Sequence, residues 1–337
     1  MYKHLVFSGG GPRVLTFLSS IEVLSKANLL TNIKHYWGNS GGAILATLLS
    51  METPLPKIRT VFETFDFTKL RDIDISHLLS FGDHWGLDSG TAFYEQVTTI
   101  MEDIKPGSSE FTLQELPSLH ITATDLSLGK PVILDSKTMP TMKVIDALRA
   151  STSIPFFYKP FRNPINKHLL VDGAVACNFP WILLPSDAER KEALGFDFHT
   201  GEACSEPKTL GEFIPSILNF RERLWNSHLL KPKAPNILRF YVSGFPAWHL
   251  ALKKEDRDEL FHIGFNYTTE WVKRHSAPRN YGKPPPYALP GTLQQPVPSD
   301  HTKLSLDSHA PGHPSLPQHP SRHSPSQYLP GGRRWSV

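Results

Sequence analysis

Within Ile33-Lys34-His35-Tyr36-Trp37-Gly38-Asn39-Ser40-Gly41-Gly42-Ala43-Ile44-Leu45-Ala46-Thr47-Leu48-Leu49 a strand, a glycine turn and a helix follow one another without a break. Ile33 to Trp37 is β-branched and aromatic, which predicts a short strand. Ala43 to Leu49 is an apolar run directly after the glycines and predicts a helix. The same order occurs once before. Lys3 to Phe7 predicts a buried strand, Ser8-Gly9-Gly10-Gly11-Pro12-Arg13 a loop, and Val14 to Leu24 a helix with Val14, Phe17, Leu18, Ile21 and Leu24 on one face. Two such units in succession predict an α/β fold with a parallel sheet.

Further along, residues 54 to 105 read as helical and irregular. Leu119 to Thr124 and Pro131 to Leu134 read as two strands around the turn Leu128-Gly129-Lys130. Lys143 to Ala150 predicts a short helix, Leu169 to Val171 and Asn236 to Val242 predict strands, and Glu255 to Lys273 an amphipathic helix. The composition then shifts. Thirteen of the 30 prolines fall in the last 61 residues, among many Ser and His. Such a segment buries too little apolar surface to offset its ordering entropy. The expected organisation is one α/β domain over 1–275 and a disordered Pro/Ser/His-rich tail over 276–337. Pro284-Pro285-Pro286 offers a docking site to a proline-recognising domain, although composition alone favours a passive tail.

Charge excludes one class of partner. The 35 basic and 32 acidic residues leave a net +3, with no general nucleic-acid signal. From Ala277 onward six Lys or Arg stand against two Asp, so the tail alone carries +4 and adds a weak attraction to anionic lipid. The two cysteines, Cys177 and Cys204, cannot build a disulfide framework and read as reduced thiols of an intracellular, cytoplasmic chain. The N-terminus lacks the apolar stretch of a signal peptide, and no window approaches the roughly 20 apolar residues that span a bilayer. Any membrane contact is expected to be peripheral.

Three elements carry candidate chemistry. Gly38-x-Ser40-x-Gly42 fits a nucleophile elbow, in which a serine sits on a tight strand-to-helix turn with its hydroxyl projecting. Ser40 would lie at a helix N-terminus, where backbone N–H groups favour developing negative charge. The loop Gly9-Gly10-Gly11-Pro12-Arg13 leaves N–H groups unobstructed for an oxyanion, with Arg13 adding charge or anchoring the loop. Taken alone it equally permits a phosphate cradle, although neither G-x-x-x-x-G-K-S/T nor a complete G-x-G-x-x-G fingerprint is present. Asp172-Gly173 follows a predicted strand end, where α/β active sites collect, and would supply the base that a serine needs. In isolation it is an ordinary turn.

Taken together, the motifs and their order resemble the patatin-like phospholipases over roughly residues 3 to 275. Gly9 to Arg13 is similar to that family's oxyanion loop, Gly38-Asn39-Ser40-Gly41-Gly42 to its elbow, and Asp172-Gly173-Ala174 to its Asp-Gly-Gly/Ala motif. Ala150-Ser151-Thr152-Ser153-Ile154-Pro155-Phe156-Phe157, Asn178-Phe179-Pro180, and Thr124-Asp125-Leu126 with Gly129-Lys130-Pro131 support it. The resemblance implies a three-layer α/β/α sandwich with a mainly parallel central sheet. It also implies a Ser40–Asp172 dyad, an oxyanion hole from Gly9, Gly10, Gly11, Arg13 and Gly41, elbow and motif glycines at Gly38, Gly42 and Gly173, no metal and no cofactor. The implied substrate is an acyl lipid at a membrane or micelle surface. Val14 departs from the pattern, because a glycine often follows the Arg or Lys of the first loop. A β-branched residue does not adopt positive φ comfortably, so the loop is expected to close differently there.

Apolar groups crowd residues 61 to 85, including Phe62, Phe65, Phe67, Leu70, Ile73 and Trp85. Core packing is favoured for them over a lid or interfacial surface. Two other readings compete with the dyad. An ordinary Ser-His-Asp esterase would draw on His199, His228, His249 or His262, but its elbow normally lies well inside the chain. A catalytically inactive lipid-binding scaffold of the same fold has no chemical need for Ser40, Asp172 and the glycine loop together.

Overall fold

Strands β1 (His4–Phe7) and β2 (His35–Asn39) pair in parallel, from His4 opposite His35 to Phe7 opposite Gly38. The computed structural model describes residues 1–73, 81, 85–199, 206–209, 213, 216–217, 234–242, 244–245 and 249–276. In chain order the remaining elements are α1 (Leu15–Lys26), α2 (Gly41–Ser50), α3 (Leu55–Thr64), β3 (Gly86–Asp88), α4 (Thr91–Ile104), β4 (Leu119–Asp125), β5 (Lys130–Asp135), α5 (Val144–Ser151), β6 (Phe156–Tyr158), β7 (Phe161–Arg162), β8 (Leu169–Asp172), α6 (Asp187–Lys191), β9 (Ala193–His199), β10 (Ile237–Tyr241) and α7 (Lys254–Ser276). They all belong to the first of the chain's two units, Met1–Arg279. The expected tail, with its Pro284–Pro286 run, lies outside the described residues from 277 onward.

The central sheet runs β10-β9-β1-β2-β4-β8-β7, with β5 also on β4. From β10 to β4 every pairing is parallel, and β5, β8 and β7 add antiparallel pairs at one side. Strand β9 was not among the sequence expectations, yet it pairs with both β1 and β10 in the middle of the parallel region. Strands β3 and β6 form a separate two-stranded sheet.

Side chains on the parallel strands alternate between two cores. Leu5, Phe7, Leu119, Ile121, Leu194, Phe196 and Phe198 join one large cluster with residues of α1, α2, α3, α4, α5 and α7. Val6, Trp37, Ala193 and Ile237 face the other way, onto Phe179, Trp181 and Leu184. The sheet is therefore covered on both faces, thickly by helices on one. On the other lie a 3-10 turn (Pro180–Leu183) and the residues just after it. Phe17 of α1 stacks on Phe198 at 4.4 Å, and Phe7 lies 5.0 Å from Phe196. Burying each such ring contributes roughly 1.5–3 kcal/mol.

At the amino ends of the parallel strands three imidazoles collect. His4 stacks on His35 at 4.9 Å, His35 Nδ1 lies 3.2 Å from His120 Nε2, and His120 Nδ1 lies 2.9 Å from Asp135 Oδ2. Burial first, then the neighbouring His120, His4 and Lys137, hold His35 down at about 4, with Glu189 opposing them. The unfolded chain binds this proton below about 6.5 and the folded protein refuses it. Stability from His35 is thus fully present above pH 6.5 and is lost as pH falls toward 4. Thermal melts between pH 7.5 and 4.5 should show wild type losing more stability than His35→Gln, by on the order of 1 kcal/mol after solvent screening. Parallel pH profiles for the two proteins would contradict this.

Candidate active site

Ser40 caps α2 with φ 50° and ψ −126°. A non-glycine residue with this backbone is held there only by its surroundings. The Ser40 N–H donates to Ser151 Oγ at 2.8 Å, which fixes the turn to the end of α5. Gly38 and Gly42 close on each other across it, so that a Cβ on Gly38 would stand 2.4 Å from the Gly42 carbonyl oxygen. The hydroxyl-bearing residue is left at the start of α2, with 8% of its surface exposed.

Asp172 reaches Ser40 because two strands share one edge of β4. Strand β5 covers the other edge, from His120 to Asp125. On the shared edge β2 pairs with Leu119 to Thr122, and β8 takes over from Ala123 to Asp125. Asn39 lies opposite Thr122 and Asp172 opposite Ala123, so the two strands end on neighbouring rungs. Asp172 is 2% exposed. Its Oδ1 accepts the Ala174 N–H at 2.8 Å and Asn39 Nδ2 at 3.4 Å, and the Ser40 hydroxyl lies close enough to help stabilise the carboxylate. Burial outweighs these three donors and pushes the carboxyl up to about 6. Its backbone is pinned on both sides, N–H to the Ser153 carbonyl at 2.9 Å and carbonyl to Thr124 Oγ1 at 3.0 Å.

Asn39 joins the two halves. It is fully buried, its Nδ2 donates to Asn178 Oδ1 at 3.0 Å as well as to Asp172, and its Oδ1 accepts from Thr122 Oγ1 at 3.3 Å and Ser151 Oγ at 3.4 Å. Gly173 packs directly against this amide, where a Cβ would stand 2.0 Å from Asn39 Oδ1. In the sequence Asn39, Ser151 and Asn178 stand within the motifs around the nucleophile and the Asp, without any mark of this part. Their positions flanking the nucleophile and the Asp motif were the available signal.

The glycine loop lies alongside. The Gly9 N–H is already given to the Asn178 carbonyl at 3.2 Å, so Gly9 brings no free amide, unlike the expected set. Gly11 has φ 54° and approaches the elbow so closely that a Cβ on Gly41 would stand 2.6 Å from its carbonyl oxygen and 3.1 Å from its nitrogen. The glycine loop is thus packed directly against the elbow beside Ser40. Arg13 anchors the loop, with Nε 3.2 Å from the Gly10 carbonyl oxygen and the guanidinium 4.4 Å from the centre of the Phe198 ring. Val14 does not disturb this closure. The positive φ falls on Gly11, while Val14 is right-handed at φ −60° and buried ahead of α1.

The model of the patatin-like phospholipase family matches residues 5–184, which includes the glycine loop, the elbow, the Asp172 motif and Asn178. The chain belongs to that family. It is 28% identical over 293 residues to YqhO of Bacillus subtilis, covering 81% of this chain and 99% of that one. It is 29% identical over 188 residues to the probable lipid hydrolase 463L of Invertebrate iridescent virus 6, covering 53% of this chain and 62% of that one. Among solved structures, VipD from Legionella pneumophila superposes with a TM-score of 0.55 at 16% identity, over 81% of this chain and 67% of VipD.

In this patatin-like chain the described part of the aromatic stretch after the elbow helix is divided between core and surface. Phe62, Phe67 and Leu70 are buried, and Phe65 meets Phe67 edge-on at 5.3 Å. Ile73 and Trp85 are about half exposed, and Ile75, Leu78 and Leu79 lie outside the described residues. Of the histidines considered for a triad, His228 is outside the described residues, and no described histidine hydrogen-bonds to Ser40 or Asp172. Among the described residues no group of three His, Cys, Asp or Glu side chains is placed to hold a metal ion, and no helix is long and apolar enough to cross a membrane.

A carboxyl raised to about 6 in the fold and titrating near 3.8 in the open chain makes a definite demand on stability. Its contribution is fully present below pH 3.8 and is lost as pH rises through 6. Above that the ionised, buried group costs up to about 3 kcal/mol. Asp172→Asn should therefore melt higher than wild type at pH 8, with the gap closing toward pH 4. A variant that is less stable at pH 8, or an unchanging gap, would show that burial does not set this group's ionisation.

Proposed function

We propose that the protein is a lipid acyl hydrolase of the phospholipase A type, with Ser40 as nucleophile and Asp172 as its base. The single observation that carries the reading is the buried Asp172 carboxylate, raised to about 6 and in contact with the hydroxyl of a serine on a strained elbow. Membership of the patatin-like phospholipases and similarity to the viral probable lipid hydrolase support lipid esters as the substrate.

Asp172 takes the proton as Ser40 Oγ attacks the acyl carbonyl carbon. The carbonyl π electrons move to oxygen, and the oxyanion is met by the N–H groups of Gly10, Gly11 and Gly41. Each such donor is worth roughly 10²–10³ in rate in related chemistry. Collapse of the intermediate breaks the ester C–O bond, and the proton on Asp172 passes to the departing lysolipid oxygen. Water then attacks the acyl-enzyme, giving its proton to Asp172. Ser40 leaves as an alkoxide, takes that proton back, and the fatty acid is released. A carboxylate raised to about 6 is mostly ionised at neutral pH and is a stronger base than an ordinary aspartate. Asn39 holds that carboxylate toward Ser40, and Arg13 holds the glycine loop.

Acyl release from mixed phospholipid vesicles, with chelator present, tests the reading. Wild type should release fatty acid, and Ser40→Ala and Asp172→Asn should each lose about a thousandfold or more while remaining folded. For wild type, kcat/KM should climb about tenfold per pH unit below 6 and level off above it, because only the ionised base accepts the proton. Full activity in either variant would overturn the Ser40–Asp172 assignment, and an inert wild type would leave a lipid-binding scaffold as the better account.

A further inference from the structure

Two turns at the carboxyl end of β4 form a surface that the chemistry at Ser40 does not use. The β4–β5 turn is Leu126-Ser127-Leu128-Gly129-Lys130, and the β7–β8 turn is Asn163-Pro164-Ile165-Asn166-Lys167-His168. They are stitched together. The Leu126 N–H donates to the Leu169 carbonyl at 2.9 Å, the Leu169 N–H to Ser127 Oγ at 3.0 Å, and Asp125 Oδ2 lies 2.7 Å from His168 Nδ1. Asp125 itself is buried, and its other oxygen accepts the Leu128 N–H at 2.9 Å. The turns are thus tied to each other, yet at their tips Leu126, Leu128 and Ile165 are 48%, 51% and 48% exposed.

The charge around those tips has one sign. Lys130, Arg162 and Lys167 are all exposed, and residues 126–131 and 162–168 contain no Asp or Glu. Asp125, the residue before the first turn, is turned inward onto His168. Leu126 is three residues along β4 from Ala123, the rung that holds Asp172, which sets it about 10 Å from the dyad. Apolar tips ringed by cations suit a surface that is apolar beneath and anionic at its face.

We propose that these paired turns dock the protein on an anionic lipid bilayer, with Leu126, Leu128 and Ile165 entering the acyl boundary and Lys130, Arg162 and Lys167 meeting the headgroup phosphates. The proposal rests on the lipid-hydrolase reading for its choice of partner, since that substrate lies in such a surface. The docked turns bring the Ser40–Asp172 end of the sheet to the membrane.

Flotation with vesicles of phosphatidylcholine alone, and of an equal mixture with phosphatidylglycerol, tests this directly. The wild-type chain should float with the anionic vesicles far more than with the neutral ones, and less so as salt is raised. Lys130→Gln and Lys167→Gln should each weaken binding about fivefold, and Leu126→Ser with Leu128→Ser should weaken it on both vesicle types. Turnover of a water-soluble short-chain ester should be unchanged in all of them. Flotation reads docking and the short ester reads the dyad, so either can fail alone. Equal flotation of wild type and the turn variants, or no preference of wild type for anionic vesicles, would overturn the proposal.

Discussion

One edge of β4 is divided between β2, which runs parallel to it, and β8, which runs antiparallel. Strands approaching from opposite directions along the same edge must meet end to end. Their last residues then carry Ser40 and Asp172 into the same gap. The elbow geometry of Ser40, the seating of Asn39 and the close fit of Gly173 all follow from that meeting. A slip of one rung between β8 and β4 would turn the Asp172 side chain to the opposite face of the sheet. The β4–β5 hairpin occupies the other edge of β4 over the same rungs.

The site is costly to hold. A carboxylate at 2% exposure loses most of its hydration, and the donors around it do not fully replace what water would give. That deficit is what raises its basicity. The strained φ of Ser40 is a second cost, borne by the bond to Ser151 and by the packing of α2. Asn39 couples the two, since one side chain reaches the base, Asn178 and, through Ser151, the N–H of the nucleophile. Stability spent at this end is recovered in the aromatic core around Phe7, Phe17, Phe196 and Phe198.

Much of this was legible in the sequence because glycine patterns announce backbone constraints directly. The two strand–glycine–helix units, the elbow at Ser40 and the strand before Asp172 stand where periodicity put them, within a residue or two. Strand β9 escaped because Gly195 and Asp197 interrupt its apolar run, although Asp197 is fully buried and every residue up to Phe198 is inside. Long-range pairing was equally hidden. Nothing local says that Asn178 receives Asn39 or that Gly9 gives its amide to the Asn178 carbonyl, 169 residues away. The Val14 departure was read as a constraint on the loop, but the left-handed position belongs to Gly11 and the loop closes around it.

Covalent labelling of Ser40 by a fluorophosphonate, followed by intact mass and peptide mapping from pH 5 to 8, tests the Ser40–Asp172 account most directly. The account predicts one adduct, on Ser40, formed at a rate that rises with pH and levels off above about 6, and formed far more slowly in Asp172→Asn. No adduct on Ser40, or labelling of Asp172→Asn at the wild-type rate, would contradict it.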